Sequence, residues 1–301
     1  MSYIDLYTKG ILKKRAELLR NLLKECLLCP RKCGVNRLKN EKGFCSGGRK
    51  PVVSSYNLHF GEEPPISGYK GSGTIFFTYC NLKCCFCQNY PISQLSNGKK
   101  VEPGTLAGMM LELQQKGAHN INLVTPTHFT SQIVEALLIA IEKGLKIPIV
   151  YNCGGYESVR TLKLLDGIID IYMPDAKYAS SKNSGKYSNA TDYFEVNRKA
   201  LIEMYRQVGN LTMDKKGVAV SGLLIRHLVL PEDIAGSQEV LRFIAENISR
   251  NTYMSIMAQY HPAYKAYDFT QISRRITESE YDLVLATADR LGLKKGWRQS
   301  L

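Results

Sequence analysis

Eight of the nine cysteines fall into two groups, Cys26, Cys29, Cys33, Cys45 and then Cys80, Cys84, Cys85, Cys87. Clustered thiols in a chain of 301 residues point to metal or redox chemistry, because disulfide frameworks belong to short secreted chains. Cys80, Cys84 and Cys87 form C-x3-C-x2-C. Three thiolates on one tight loop can hold three irons of a [4Fe-4S] cube and leave the fourth open for chemistry. The competing reading makes them small buried hydrophobes or zinc ligands, but a closed zinc site wants a fourth ligand. Cys26, Cys29, Cys33 and Cys45, spaced C-x2-C-x3-C-x11-C, supply the four thiols that close either a zinc site or a second [4Fe-4S] cluster. The spacing fits both, with an auxiliary cluster as the expectation and disulfides as the remaining alternative.

Positioning these thiols requires a scaffold, and the hydrophobic pattern predicts one. Apolar residues at helical spacing predict a helix over 5–25, followed by a knuckle of turns through Pro30, Gly34 and Gly43. Beyond residue 74 short apolar runs alternate with helical segments. The expected strands are Thr74–Phe77, Ile121–Val124, Ile149–Tyr151, Ile169–Met173, Leu223–Val229 and Ser255–Ala258. The expected helices lie near 104–116, 131–143, 156–165, 191–208, 235–248 and 278–291. Such alternation favours a parallel sheet with helices outside, here an α/β partial (β/α)6 TIM-like barrel. The expected organisation is an N-terminal helix and four-cysteine module over 1–50, a barrel over 51–263, and a helical cap over 264–301. The three-cysteine loop then follows the first barrel strand.

Composition is ordinary for a globular chain at 44% hydrophobic and 22% charged, and excludes disorder and a collagen-like fibre. Lys9, Lys13, Lys14 and Arg15 break any N-terminal apolar stretch, so a cytoplasmic protein with no membrane partner is expected. The charge is unusual at +13, and residues 1–50 carry 13 Lys/Arg against four acids. A basic module of that kind raises RNA as a partner. It equally serves as counter-charge to metal-bound thiolates, with Lys24, Arg31, Lys32, Arg37, Lys39 and Lys42 around the first group.

The three-cysteine loop, with Phe86 before its last cysteine, resembles the signature of the radical S-adenosylmethionine (SAM) superfamily. That resemblance implies a [4Fe-4S] cluster on Cys80, Cys84 and Cys87, with SAM on the open iron. It also implies reductive cleavage of SAM to a 5′-deoxyadenosyl radical that abstracts a hydrogen atom, and leaves Cys85 outside the ligand set. Asp170 to Lys177 carries a D-x4-D-x-K arrangement similar to that of glycyl-radical-enzyme activases. By resemblance Asp175 and Lys177 line the SAM or peptide site, and Arg226 with His227, before Leu228–Pro231, reaches the SAM adenosine. The alternative for Asp175 and Lys177 is an ion pair at a strand end with no catalytic part. Many of these enzymes follow their second strand with Gly-Gly-Glu; here stands Thr125-Pro126-Thr127-His128, so Thr127 and His128 are expected to replace that loop. Asn152, Gly154 and Gly155 close the third strand in a turn suited to a close approach to SAM. The other histidines, His59, His119, His227 and His261, are expected to be structural.

Segments 29–37, 59–65, 71–77, 88–90, 125–128 and 296–297 make the chain most similar to a branch grouped as pyruvate formate-lyase activating enzyme-like. This resemblance implies a protein or peptide substrate and a flavodoxin- or ferredoxin-type electron donor. A radical SAM enzyme that modifies RNA, or a metal-bearing binding protein without turnover, are the alternatives.

Overall fold

The computed structural model describes residues 2–300. Ten strands form one open sheet: β1 Val52–His59, β2 Ser72–Phe77, β3 Lys99–Lys100, β4 Ile121–Val124, β5 Ile149–Cys153, β6 Ile171–Pro174, β7 Thr212–Met213, β8 Ala219–Leu228, β9 Tyr253–Met257 and β10 Gly296–Arg298. Their order is β3-β1-β2-β4-β5-β6-β8-β9-β10, with β7 paired to β8. From β2 to β10 the neighbours are parallel, whereas β1 runs antiparallel to β2. The result is a partial barrel whose edges do not meet. All six expected strands are present, because β4, β5 and β6 are almost continuously apolar and buried on both faces, as sandwiched parallel strands must be.

Helices Pro103–Gln115, Thr130–Glu142, Val159–Leu165, Tyr193–Val208 and Ser237–Asn247 return the chain between strands. They bury their apolar faces in one continuous core that runs from Tyr3 to Leu293. A second, small cluster lies inside the barrel: Ile66, Val150, Ile171, Met173, Ala219 and Leu224. It fixes which strand residues face inward. His59 pairs with Ser72, so the loop from β1 to β2 leaves at the end where the parallel strands begin. Its short helix Pro64–Ser67 places Ile66 in the inner cluster and closes that end.

Three expectations change. The helix over 5–25 is two helices, Tyr3–Thr8 and Ile11–Asn21, because Gly10 takes a left-handed φ of 68° that ends one and starts the next. Strand β1 was not expected. Past the buried Val52 and Val53 its side chains are half-buried or exposed, and Ser54, Ser55 and Asn57 dilute the apolar signal. Within 264–301 the helix Glu278–Arg290 is present, opened by a Thr277–Glu280 capping box, but Gly296–Arg298 adds a further parallel strand beside β9.

Candidate active site

The chain leaves β2 at Phe77 and folds back through Tyr79 and Lys83, both at positive φ, to form the Cys80–Cys87 loop. Its sulfurs are held by two neighbours in the chain and one distant residue. Leu82 N–H donates to Cys80 Sγ (3.3 Å), Ser188 Oγ donates to Cys84 Sγ (2.9 Å), and Ser93 Oγ lies 3.2 Å from Cys87 Sγ. Burial pushes the Cys80 thiol up to about 11 and raises Cys84 and Cys87 too, while the Lys177 ammonium pulls all three back down. Each thiol also feels another of the three, so they share one locality. Among the described residues no three Cys, His, Asp or Glu converge as they would on one bare ion. A cube does not ask them to, since each thiolate bonds a different iron. Three thiols, Cys84 buried and Cys80 and Cys87 half-buried, with hydrogen-bond donors and one lysine among them, fit that group. Cys85 is engaged otherwise: its N–H donates to Tyr187 O (2.8 Å), and its carbonyl accepts from Lys265 N–H (2.9 Å).

Beside this loop, at the C-terminal ends of the parallel strands, the polar residues of β5, β6 and β8 meet. Lys177 Nζ donates to Asp175 Oδ2 (2.6 Å), Arg226 Nε to Asp175 Oδ1 (2.9 Å), and an Arg226 terminal nitrogen to Asn152 Oδ1 (2.7 Å). Burial works against the Asp175 carboxylate, but Arg226 and Lys177 outweigh it and hold its pKa below the usual range. Gly155 is required here: at φ 73° a Cβ would lie 2.0 Å from Asp175 O. A Cβ on Gly154 would meet Leu82 of the cysteine loop at 2.9 Å. These glycines therefore let β5 press against both the loop and β6. His227 is buried between Ala176 O and Ser237 Oγ, a structural placement.

Thr127 and His128, expected at SAM, are committed elsewhere. Thr127 Oγ1 donates to Glu157 Oε1 (2.6 Å), and His128 Nε2 pairs with Thr78 O (2.8 Å). Burial drops the His128 pKa to about 3, so the ring is neutral. His128 lies at the seam with the N-terminal module, where it lines a small cavity together with Cys26, Cys29, Cys33 and Cys45. In that module Phe44 N–H donates to Cys33 Sγ and Gly47 N–H to Cys45 Sγ, each at 3.4 Å. A Cβ on Gly43 would sit 2.7 Å from Cys33 Sγ. Four thiols lining one cavity, with backbone donors aimed at sulfur, fit a cluster that bonds each thiolate through a different iron.

Of the six basic residues expected around those thiols, Arg37 is the one buried against them. It donates to His128 O (2.6 Å) and Gly48 O (3.0 Å) and lies 4.0 Å from Cys26 Sγ. Arg31 reaches instead to Asn81 O (2.8 Å) beside Cys80, stacking on Phe44 and Tyr156. Sequence reasoning missed Ser93, Ser188, Glu62, Glu63 and Glu157, and only the Glu62-Glu63 pair carried a signal, its place in the 59–65 segment.

No family model matches the chain. It is 31% identical over 294 residues to the uncharacterized protein MJ0674 of Methanocaldococcus jannaschii, covering 94% of this chain and 80% of that one. A second protein of that organism, the uncharacterized protein MJ0808, is 23% identical over 263 residues, covering 81% of this chain and 72% of its own. Among solved structures, a radical SAM methyltransferase from Sphaerobacter thermophilus superposes with a TM-score of 0.50 at 10% identity, covering 76% of this chain and 66% of that one. Methylornithine synthase (PylB) also gives 0.50, at 15% identity, covering 96% of this chain and 71% of that one. These two likenesses establish the fold.

Proposed function

We propose that this chain, which belongs to the same family as the uncharacterized protein MJ0674, is a radical SAM enzyme. The observation that carries this reading is the placement of Cys80, Cys84 and Cys87 on one loop at the strand ends, sharing Lys177 with the Asp175–Arg226–Asn152 group. With a [4Fe-4S] cluster and SAM bound, such a site supplies a 5′-deoxyadenosyl radical for hydrogen abstraction. In this reading the three thiolates hold the cluster and Lys177 offsets part of their charge. Asp175, Arg226 and Asn152 orient the polar parts of SAM, and Gly155 keeps the wall there free of a side chain. The packed inner cluster below, closed by Ile66, keeps water out from the far end of the barrel. Anaerobic reconstitution with iron and sulfide, followed by dithionite and SAM, should release 5′-deoxyadenosine; a cluster-loaded protein that releases none refutes the reading.

The finer assignment is a glycyl-radical-activase-like oxidoreductase acting on a protein or peptide in the cytoplasm, reduced by a flavodoxin- or ferredoxin-type donor. It is supported by the Asp175–Lys177 pair and tested by deuterium transfer from a labelled glycine peptide into 5′-deoxyadenosine. The N-terminal thiols would carry a second [4Fe-4S] cluster, the alternative being zinc. About eight iron per chain indicates two clusters, and about four iron with one zinc indicates the alternative. Among the described residues no helix is long and apolar enough to cross a membrane.

A further inference from the structure

The knuckle and the edge of the sheet enclose a cavity that neither cysteine group uses. It has a volume of about 270 Å³ and lies between Lys42, Arg49, Lys50 and Lys100, with Asn40 and Gly48 in its wall and no acid among its lining residues. Three separate segments build it. Lys100 comes from β3, the end strand of the sheet, and pairs with Val52 of β1. Arg49 and Lys50 lead into β1, and their stretch is fixed from behind. Arg37 and Gln132 donate to Gly48 O (3.0 and 3.3 Å), and Gln132 donates also to Arg49 O (2.8 Å). On the other side Arg49 N–H donates to Asn40 Oδ1 (3.2 Å), and Lys42 Nζ is anchored on Ser46 O (2.9 Å). Gly48 leaves room for that ammonium, since a Cβ there would lie 3.2 Å from both Lys42 Nζ and Asn40 Oδ1.

The charges in this wall are not balanced from within the chain. Lys50 pairs with Glu102, and Glu135, in the adjoining pocket, pairs with Arg20 (3.7 Å). Among the described residues Lys42, Arg49 and Lys100 form no ion pair. Like charges gathered on one concave wall repel one another and draw anions to it. Three unmatched cations also decide which anion. A carboxylate brings one charge, whereas a phosphate monoester brings about two at neutral pH, on three acceptor oxygens. Arg49 offers a planar fork and the lysines offer point charges, the two kinds of group that phosphate recognition uses. The volume lies just below the roughly 300–1,000 Å³ of sites for drug-sized molecules, so the ester is a small one. A concave wall, in place of a stripe along an open face, favours such a ligand over a nucleic acid. The cavity also adjoins the start of the cysteine loop: Val52 O accepts from Thr78 N–H (2.9 Å), and Lys42 Nζ lies 5.8 Å from the ring centroid of Tyr79, the residue before Cys80.

We propose that this cavity is a binding site for a small phosphate monoester, whose phosphoryl group is received by Lys42, Arg49 and Lys100. Binding stands independent of the radical SAM reading. Only the use of the site, to hold its ligand beside the cysteine loop, rests on that reading.

The test is isothermal titration calorimetry of the metal-loaded full chain at constant ionic strength, with ribose 5-phosphate and inorganic phosphate as probes and ribose and sodium acetate as controls. Ribose 5-phosphate should bind saturably at one site per chain, more tightly than inorganic phosphate, where ribose and acetate do not bind. Arg49→Gln and Lys100→Gln should each raise the Kd about tenfold or more, the worth of one charge-assisted hydrogen bond. Lys99→Gln removes the neighbouring cation on β3, which does not line the cavity, and should leave the Kd unchanged. All three side chains are exposed, so the variants keep the fold. Equal losses in Lys99→Gln and Lys100→Gln, acetate binding as tight as that of ribose 5-phosphate, or no binding of either phosphate overturns the proposal. Tighter binding of inorganic phosphate makes free phosphate the ligand and overturns the ester. Displacement of ribose 5-phosphate by a short 5′-hydroxyl RNA, which carries diesters alone, also overturns it, and failure to displace supports it. A protein that binds ribose 5-phosphate but releases no 5′-deoxyadenosine refutes the enzyme reading and leaves the site standing; one that cleaves SAM yet binds neither phosphate does the reverse.

Discussion

The two cysteine groups are built on opposite plans. The N-terminal four are held locally: Cys26 N–H donates to Val35 O, Gly34 N–H donates back to Cys26 O, and the donors to sulfur come from Phe44 and Gly47 of the same knuckle. The barrel three add to their local partners Leu82 and Ser93 a set from afar: Ser188 about a hundred residues on, Lys177 after β6, and Tyr187 O through Cys85. A locally closed site can be completed by one turn-rich segment and its metal. A site assembled from distant strands inherits its geometry from the barrel, which is what placing a reacting group beside a substrate demands. On the proposed function, chemistry belongs to the loop, and the knuckle is a locally closed unit.

Removing one ligand from each group tests that division most severely. Cys84→Ala should abolish 5′-deoxyadenosine release, measured by chromatography, and leave the N-terminal metal in place. The paired change Cys26→Ala with Cys29→Ala should remove only the N-terminal metal and leave SAM binding, read by equilibrium dialysis. Equal metal loss in both proteins would break the comparison.

The seam comes next. Arg37 is buried and ties the knuckle to the barrel through His128 O and Gly48 O. Replacing it with Met strands two carbonyls and should destabilise the chain by about 3 kcal/mol in urea unfolding. A loss within error would mean that the knuckle stands free of the barrel.

Glu157 at the same seam gives a pH signature. Burial pushes its pKa from 4.5 up to about 8, against hydrogen bonds from Thr127 and Tyr151. The folded chain therefore holds a proton that the unfolded chain releases between about pH 4.5 and 8. Stability falls as pH rises through that window and levels off above it. Glu157→Gln should remove this decline in melting temperature. An unaltered profile would show that the carboxyl is ionised in the fold.

The smallest expected effect belongs to Ser188→Ala, which takes one donor from Cys84 and leaves the Tyr178 hydroxyl without its partner. About 1 kcal/mol of stability should be lost. Iron transfer to a chelator should quicken severalfold, from the loop and not from the knuckle.

Sequence periodicity located β2, β4, β5, β6, β8 and β9, since a strand buried on both faces is a short apolar run whatever its neighbours. It missed the short strands β3, β7 and β10, the strand β1, whose exposed residues Ser55 and Asn57 interrupt the apolar pattern, and the helix Ser181–Ser188, whose polar residues and Gly185 leave few apolar positions to mark it. That helix places Ser184, Tyr187 and Ser188 in the core, so an unpromising stretch carries the partner of Cys84. For Thr127 and His128 residue type was legible but direction was not, because Glu157 and Thr78 claim side chains that spacing alone offered to SAM.

By itself the sequence determined the thiol groups, the alternation of strand and helix, and the charged cluster at the end of β6, because spacing and period are local properties of the chain. Only the tertiary structure decided that Arg37 is a buried tie and that Glu62 and Glu63 enter the lumen from below. It likewise decided that Asn152 donates to Glu62 and that Arg226 lies beside the same carboxylate. Those facts depend on which residues face each other across strands and loops distant in sequence, and strand register and loop closure are fixed by packing of the whole core.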